Sequence, residues 1–429
     1  MNLSPEAQEL NERLSAEAPQ VFQALSPLAR RAFFPKGIPY QAGQAAGCAI
    51  DATIGQITDG HGNPLPLARL GELLTGLNPK DAFLYSPIQG RPKARQLWRE
   101  KLLKEDARIE SIGLPAVTAG ICHAISMAAE LFFAPGDTLL LPDLYWDNYE
   151  QIFGIRLEGR IERYPFYPAD LSGFNVDGLR QALGNVAGKV HVLLDFPSNP
   201  SGFSPTPGEM KAIADVLVEA AGHRAVIVYC DDAYHGLVFE KTATSKSLFF
   251  ELIGRHSNLI PLKCDGVTKE LSFFGGRVGF LTFGTSKTAA EILVEKSMSL
   301  FRSGIGSPVG ISQYLMEEEL LDPRHDESFE SMRRLLERRY RILKNALSKP
   351  TEQWVAYPFN AGCFCLLELR SGLHAEDIRQ RLIADESVGV VNQSDRHIRL
   401  AFCSLKEEVI EPLIEALERV CGRTTAPMY

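Results

Sequence analysis

Two basic side chains, Lys269 and Arg277, have the types and the spacing that could do chemistry. Lys269 closes the segment 264–269, and Arg277 follows eight residues later within the glycine-rich segment 275–279. A lysine amine can attack a carbonyl and so hold a ligand covalently. A guanidinium nearby is useful when that ligand also carries a large negative charge, because it can bind an anion through two donors. The pair therefore indicates covalent chemistry on an anionic ligand that carries a carbonyl.

Two upstream motifs narrow this chemistry. Asn199 opens an Asn-Pro-Ser-Gly segment at 199–202, and Asp231 and Tyr234 frame an Asp-x-x-Tyr motif. Each motif alone is more typical of a turn or a helix cap. Their order and spacing together with Lys269 point to a lysine-bound pyridoxal phosphate (PLP), a cofactor that acts on amino groups.

Composition bounds the class of protein. The chain has 429 residues, of which 45% are apolar and 23% charged, with a net charge of −8. These values are typical of a globular protein with two domains and offer no attraction for nucleic acid. The sequence shows neither a membrane-spanning apolar run nor a signal peptide at its start, so we expect a cytoplasmic protein. Its nine histidines and eight cysteines lack metal-ligand spacing, and we predict no metal site.

Short apolar runs alternate with helical patterns through the middle of the chain. The runs are apolar on both faces, as parallel strands covered by helices would be. Alternation of strand and helix predicts a doubly wound, mostly parallel α/β sheet. The clearest runs are residues 138–141, 190–194, 225–229 and 277–283, and the clearest intervening helical patterns are residues 123–133 and 207–221.

The two ends of the chain have a different pattern. We predict a large PLP-binding domain at residues 51–317 and a smaller α+β domain formed by residues 1–50 and 318–429. Within the smaller domain the patterns predict one amphipathic helix at 5–30, long helices at 311–321 and 327–347, and strands at 355–369 and 396–402.

The candidate residues follow predicted strands directly. Residues 226–229 lead into Asp231, and residues 192–194 lead into the turn that contains Asn199. Ligands of open α/β sheets bind at the carboxyl ends of the strands. We therefore expect these side chains to share one site.

With these motifs in the same order, residues 50 to 405 resemble the fold-type I PLP enzymes, in particular the class I/II aminotransferases of the aspartate aminotransferase kind. The resemblance implies a ping-pong transfer of an amino group between an L-amino acid and a 2-oxo acid such as 2-oxoglutarate. The donor it implies is aspartate or another dicarboxylic or aromatic amino acid. It also implies a homodimer with shared active sites.

The resemblance assigns roles around the cofactor ring. Lys269 would be both the covalent anchor and the general base. Asp231 would pair with the pyridine nitrogen, while Asn199 and Tyr234 would bind the phenolic oxygen. Trp146, in the segment 145–149, would stack on the ring.

The resemblance also assigns the phosphate contacts. The backbone N–H groups of Ile121 and Cys122 would point at phosphate oxygens from a helix start, and Arg277 would clamp the phosphate. Thr268, beside the lysine, is a further candidate, and Tyr85 would reach the phosphate of the neighbouring subunit.

On the substrate side, Arg399 would bind the α-carboxylate through a planar fork. Arg302 would either read a distal carboxylate from across the dimer or hold the dimer interface. Gly55 would begin a loop that covers the substrate, and residues 34–38 would close over the same pocket.

One departure from the family concerns the phosphate. Gly266 stands where the family usually has a serine, and Asp265 beside it must point away from the phosphate.

Other readings of the chain are weaker. A dinucleotide-binding enzyme is disfavoured because no Gly-x-Gly-x-x-Gly follows the first strand. A non-catalytic PLP-binding regulator fits poorly with a complete set of Lys269, Asp231, Asn199 and Arg399. β-Lyases, decarboxylases and synthases use the same parts, and the motifs leave them open.

Overall fold

The computed structural model describes residues 3–73, 76–77 and 79–425. The strands are β1 (Ile50–Asp51), β2 (Ala116–Thr118), β3 (Thr138–Pro142), β4 (Arg160–Tyr164), β5 (Val190–Asp195), β6 (Val226–Asp231), β7 (Leu259–Gly266), β8 (Gly279–Phe283), β9 (Trp354–Ala356), β10 (Phe364–Leu369), β11 (Val388–Gly389), β12 (Val391–Ser394) and β13 (His397–Ala401).

The helices are α1 (Pro5–Glu17), α2 (Pro19–Ala24), α3 (Pro27–Arg31), α4 (Ile38–Ala45), α5 (Ala68–Leu73), α6 (Pro79–Phe83), α7 (Pro92–Glu105), α8 (Ile121–Phe132), α9 (Val176–Asn185), α10 (Pro207–Ala221), α11 (Leu248–Leu252), α12 (Val267–Glu270), α13 (Lys287–Gly304), α14 (Gly310–Leu321), α15 (His325–Leu347), α16 (Ala375–Arg381) and α17 (Ile410–Thr425).

A seven-stranded sheet forms the centre of the molecule, in the order β2-β8-β7-β6-β5-β3-β4. The neighbours from β7 to β4 run parallel, and β8 is antiparallel to both of its partners. Every residue of β3, β5 and β6 is buried, as expected for parallel strands under helices. The predicted doubly wound, mostly parallel sheet is confirmed.

Two sequence predictions of single elements are wrong. Residues 5–30 form three helices, because Pro19 and Pro27 each start a new helix. The residue before a proline avoids the helical region, so each proline ends the helix before it. Residues 355–369 form two strands, β9 and β10, separated by a segment that contains Pro358 and Gly362, whose φ is 70°.

The C-terminal part contains a second, antiparallel sheet in the order β12-β13-β10-β9. Its pairing places Leu366 opposite Arg399. β1, near the N-terminus, pairs with β11. The division into domains at 51–317, with 1–50 and 318–429 together, stays a prediction, and its outermost residues 1–2 and 426–429 lie outside the described residues.

The central sheet positions the candidate site through its register. Asp195 and Asp231 end β5 and β6 and lie opposite each other. α12, which carries Lys269, follows β7 without a loop. In the described part of the chain, no helix is both long and apolar enough to cross a bilayer, and no cluster of side chains could bind a metal ion.

Candidate active site

A cavity of about 310 Å³ lies at the carboxyl ends of β5, β6 and β7, and the first residue of β10 and part of β13 also line it. The predicted site residues in its wall are Gly55, Ile121, Cys122, Trp146, Asn199, Asp231, Tyr234, Thr268, Lys269, Arg277 and Arg399. Residues far apart in sequence therefore meet in one place, as the strand-end argument predicts.

The Lys269 side chain is held over an aromatic ring. Its Nζ atom lies 4.8 Å from the centroid of the Tyr234 ring. Burial lowers the pKa of the Lys269 amine from its usual value, while the Asp231 carboxylate opposes that shift. A lowered pKa increases the fraction of neutral amine, which is the form that attacks a carbonyl.

Asp231 is a buried carboxylate with two donors. It accepts a hydrogen bond of 2.7 Å from the Tyr149 hydroxyl and one of 3.1 Å from the Ala233 N–H. Burial raises the pKa of Asp231, and the Tyr149 hydrogen bond and the charge of Lys269 counter this rise. A cationic ring nitrogen is the partner that such a carboxylate needs to stay ionised.

Arg399 is fixed by contacts on several sides. Its Nη1 donates to Asn199 Oδ1 at 3.0 Å, and its Nη2 donates to the Thr53 carbonyl at 2.6 Å. The guanidinium carbon lies 4.3 Å from the centroid of the Phe364 ring. Burial lowers the pKa of Arg399 to about 10, so it is still charged at neutral pH. Its buried Nε has no hydrogen-bond partner among the described residues.

The anion-binding end of the cavity is built from close backbones. A Cβ at Gly120 would stand 2.5 Å from Arg277 Nη2, so the guanidinium lies against that glycine. Gly120 has φ 88° and precedes Ile121, the first residue of the 12-residue α8. The free N–H groups of a helix start favour an anion.

The departure at Gly266 has a steric cause. A Cβ there would stand 2.6 Å from the Val278 carbonyl oxygen, so a serine does not fit. Thr268, two residues after Gly266, lines the cavity and provides a hydroxyl close to the position where the serine is expected. Asp265 is fully buried and accepts a hydrogen bond from Trp98 Nε1 at 3.0 Å, outside the cavity wall. Its charge therefore does not face the anion-binding end.

The N-terminal turn of α8 depends on a neutral histidine. The Ala119 N–H donates to His123 Nδ1 at 3.0 Å. Burial and the charge of Arg156 lower the pKa of His123 to about 4. A pKa below the unfolded value of about 6.5 stabilises the fold above that pH, and the stabilisation is lost as the pH falls toward 4.

We expect His123→Gln to reduce this acid sensitivity. Between pH 7.5 and 5 the variant should lose about 2 kcal/mol less of its free energy of unfolding than the wild type, as judged by urea titration. Replacing the exposed His223 by Gln should leave the wild-type pH dependence. Identical curves for wild type and His123→Gln would contradict the assignment.

Glycine and apolar residues shape the mouth of the cavity. A Cβ at Gly55 would stand 2.4 Å from Phe364 Cζ, so only a glycine lets the ring that supports Arg399 take its place. Trp146 is half-buried in the wall, edge-on to Tyr149 at 5.6 Å between ring centroids. Ile38, the last residue of the predicted closing segment, also lines the cavity.

Two predicted residues do not reach this cavity. Tyr85 is 96% exposed. Arg302 is exposed on the last turns of α13. Contacts of either residue with an active site would require a second subunit, so their roles stay predictions.

Sequence reasoning missed several residues of the wall, among them Tyr149, Asp195 and Phe364. Tyr149 lies one helical turn after Trp146, and that spacing could have indicated a shared face. Asp195 ends the strand beside Asp231, and the strand-end argument could have included it. No signal in the sequence marked Phe364, because its role depends on contacts with Gly55 and Tyr234, which are distant in the sequence.

Comparison with known proteins places the chain in a family. Residues 50–417 match the family described as aminotransferase class I and II. The chain belongs to this family. The resemblance drawn from the motifs is confirmed, and with it the class of enzyme and the cofactor: a PLP-dependent aminotransferase.

The relatives of this aminotransferase have low sequence identity to it, but each match covers most of both chains. Aspartate aminotransferase of Rhizobium meliloti is 25% identical over 349 residues, covering 78% of this chain and 80% of that protein. Aromatic-amino-acid aminotransferase 2 of Thermococcus litoralis is 24% identical over 355 residues, covering 78% and 83%. The structure of an aminotransferase from Anaerococcus prevotii has a TM-score of 0.81 at 20% identity, covering 94% of this chain and all of that one.

The residues of the cavity fit PLP. The Lys269 amine and the Asp231 carboxylate match the aldehyde and the ring nitrogen of the cofactor. The start of α8 and the Arg277 guanidinium match its phosphate. Any side chain at Gly120 would collide with that guanidinium.

Proposed function

We propose that this aminotransferase uses the cavity around Lys269 as its active site, with the roles that the motifs indicate. The observation that carries the proposal is one buried cavity in which an amine of lowered pKa, a hydrogen-bonded carboxylate and two guanidiniums meet. These are Lys269, Asp231, Arg277 and Arg399. Together these four groups can hold an anionic aldehyde at one end of the cavity and an amino acid at the other.

The chemistry divides between cofactor and chain. PLP, when bound, accepts the amino group and withdraws electrons from the α-carbon of the donor. Lys269 anchors the cofactor and then moves the proton that leaves the α-carbon. Asp231, oriented by the Tyr149 hydroxyl, keeps the proton on the ring nitrogen. Asn199 and Tyr234 would bind the phenolic oxygen of the cofactor, next to the lysine.

Arg399 positions the donor. Its guanidinium is held by the Thr53 carbonyl, Asn199 and the Phe364 ring, so it needs little reorganisation to bind a carboxylate. A carboxylate fixed in this way sets the orientation of the α-carbon toward Lys269.

The cavity favours a donor with an apolar or aromatic side chain. Besides the residues that hold charge, its wall contains Ile38, Ile54, Phe274 and Phe364. Within the described residues of this chain, no further arginine lines the cavity to read a distal carboxylate.

A homodimer, a cytoplasmic location and the two-domain division are part of the proposal. Phe83, Leu84 and Tyr85 form an apolar stretch that is largely exposed in the single chain. Exposed apolar patches of this kind mark protein interfaces. The cytoplasmic location is supported by the composition alone.

Incubation of the holoenzyme with an amino-acid panel and 2-oxoglutarate tests the function. We expect glutamate to form, fastest with phenylalanine, tyrosine or leucine as donor. Ammonia and a 2-oxo acid released without an acceptor would instead support a lyase.

Substitution of Arg302 tests the donor class. We expect Arg302→Ala to change kcat/KM for phenylalanine and for aspartate by the same factor, to within about twofold, because the arginine lies outside the cavity of its own chain. Steady-state kinetics with both donors measures this. A loss confined to aspartate and glutamate would assign Arg302 to a distal carboxylate across a dimer and overturn the apolar donor.

A further inference from the structure

A second and larger cavity shares a wall with the active site. Its volume is about 740 Å³, against about 310 Å³ for the active site. Both values fall in or near the range of small-molecule sites, roughly 300–1,000 Å³. One face of α7, the turn after β6, the end of α12 and the start of α15 enclose it.

The shared wall is only one backbone thick at two places. Residues 233–234 line the active site, whereas 235–236 line the second cavity. Residues 268–269 line the active site, whereas 270–271 line the second cavity. The second cavity is thus separate from the PLP site but adjacent to its lysine.

Paired charged side chains form the inner end of this cavity, and His235 and Glu270 among them are buried. His235 Nε2 lies 2.7 Å from Glu105 Oε2, and Lys101 Nζ lies 2.6 Å from Glu270 Oε2 and 3.3 Å from Glu105 Oε1. Glu270 is only 3% exposed, and its Oε1 has no hydrogen-bond partner among the described residues. The inner end therefore has a buried acceptor to spare.

The rim of the cavity carries spare donors. Lys104 is exposed on α7 and has no ion-pair partner in the described part of the chain. Lys246, in the loop before α11, also lines the cavity and forms a long ion pair of 3.9 Å with Asp106. The Lys104 ammonium is unpaired among the described residues, and the exposed Lys246 ammonium can exchange its Asp106 contact for an anion at the mouth.

The lining as a whole is balanced in charge. Glu100, Glu105, Glu270 and Asp326 are matched by Lys101, Lys104, Lys246 and Arg333. A simple anion or a simple cation would meet as much repulsion as attraction. A ligand that carries both charges can match such a surface.

Apolar side chains lie between the charged groups. They are Leu97, Val238, Leu271, Leu320, Leu321 and Phe329. They offer contact area for an uncharged side chain of the ligand.

We propose that this cavity binds a free α-amino acid with an apolar side chain. The ammonium group faces the carboxylates of Glu270 and Glu105, the carboxylate faces Lys104 and Lys246, and the side chain packs on the apolar wall. The site is distinct from the donor site, since Arg399 and Lys269 take no part in it.

Binding to the reduced holoenzyme tests the proposal. Treatment with borohydride fixes the cofactor and prevents turnover, and peptide mapping of the same sample shows whether Lys269 carries it, so a failure of the proposed function is read separately. L-Phenylalanine is titrated by calorimetry beside 3-phenylpropionate, which lacks the ammonium group, and 2-phenylethylamine, which lacks the carboxylate. We expect saturable binding of phenylalanine and at least about tenfold weaker binding of each analogue.

Variants at exposed positions locate the site without risk to the fold. Ser245→Trp, at the mouth, should abolish binding. Lys104→Ala should weaken it by about three- to fivefold, whereas Lys211→Ala, an exposed helical lysine elsewhere, should not change it. Absence of saturable binding, equal affinity for the analogues, or binding unaffected by Ser245→Trp would each overturn the proposal.

Discussion

Lys269→Ala abolishes amino transfer, lowering kcat by at least about 10⁴-fold while the fold survives. The expectation follows from the position of the amine, which lies over the Tyr234 ring. Burial lowers the pKa of this amine, and the Asp231 carboxylate partly offsets that shift. No other lysine among the described residues lines the cavity, so no neighbour can take over as anchor and base. Steady-state rates, absorbance of the bound cofactor and thermal unfolding measure the three parts of this prediction.

Two controls separate chemistry from structure. Lys269→Arg keeps a positive charge but lacks a neutral amine at working pH, and we expect it to be as inactive as the alanine variant. Ammonia or methylamine added to Lys269→Ala should restore part of the proton transfer, because a small amine fits the space left by the side chain. Residual activity near that of the wild type would remove Lys269 from the catalytic role.

Asp231→Asn should lower kcat by about 10²- to 10⁴-fold and affect retention of the cofactor much less. Asparagine is isosteric, so the Tyr149 hydroxyl can still donate to its side-chain oxygen. The lost negative charge no longer holds a proton on the ring nitrogen, and each unit by which the ring pKa falls costs about 1.4 kcal/mol of that protonated form. Single-turnover kinetics and a cofactor titration distinguish the two effects.

Asp195 provides a matched control, since it ends the neighbouring strand opposite Asp231. Burial and the charge of Asp231 raise the pKa of Asp195 well above its usual value. This shift favours the neutral carboxyl, whose Oδ2 accepts the Asn199 N–H at 2.7 Å. Asp195→Asn should cost little activity. Losses of the same size in both variants would mean that Asp231 acts through local structure instead of its charge.

The sequence predicted the centre of the fold well, for a physical reason. The runs at 138–141, 190–194 and 225–229 are apolar on both faces, and only strands of a covered parallel sheet require that pattern. Residues that follow such runs meet at one edge of the sheet, so the convergence of Asn199 and Asp231 was predictable without coordinates.

What could not be predicted depends on packing between distant segments. Phe364 enters the site because it packs against the distant residues Gly55 and Tyr234, and no local pattern indicates those contacts. The single helix predicted at 5–30 is wrong because Pro19 and Pro27 interrupt it, which the apolar periodicity of the segment does not show. Arg302 resembles a family position in sequence, but its place relative to a substrate depends on a second subunit.

The meeting of three backbones at Gly120, Gly266 and Gly279 limits how this enzyme can be engineered. A Cβ at Gly279 would stand 2.5 Å from the Gly120 carbonyl carbon, and one at Gly266 would collide with the strand beside it. A serine at Gly266 would thus force β7 and β8 apart without adding a useful hydroxyl. Tuning of cofactor affinity has to come from side chains laid over this glycine floor, such as Thr268 and Arg277, since the floor itself admits no replacement.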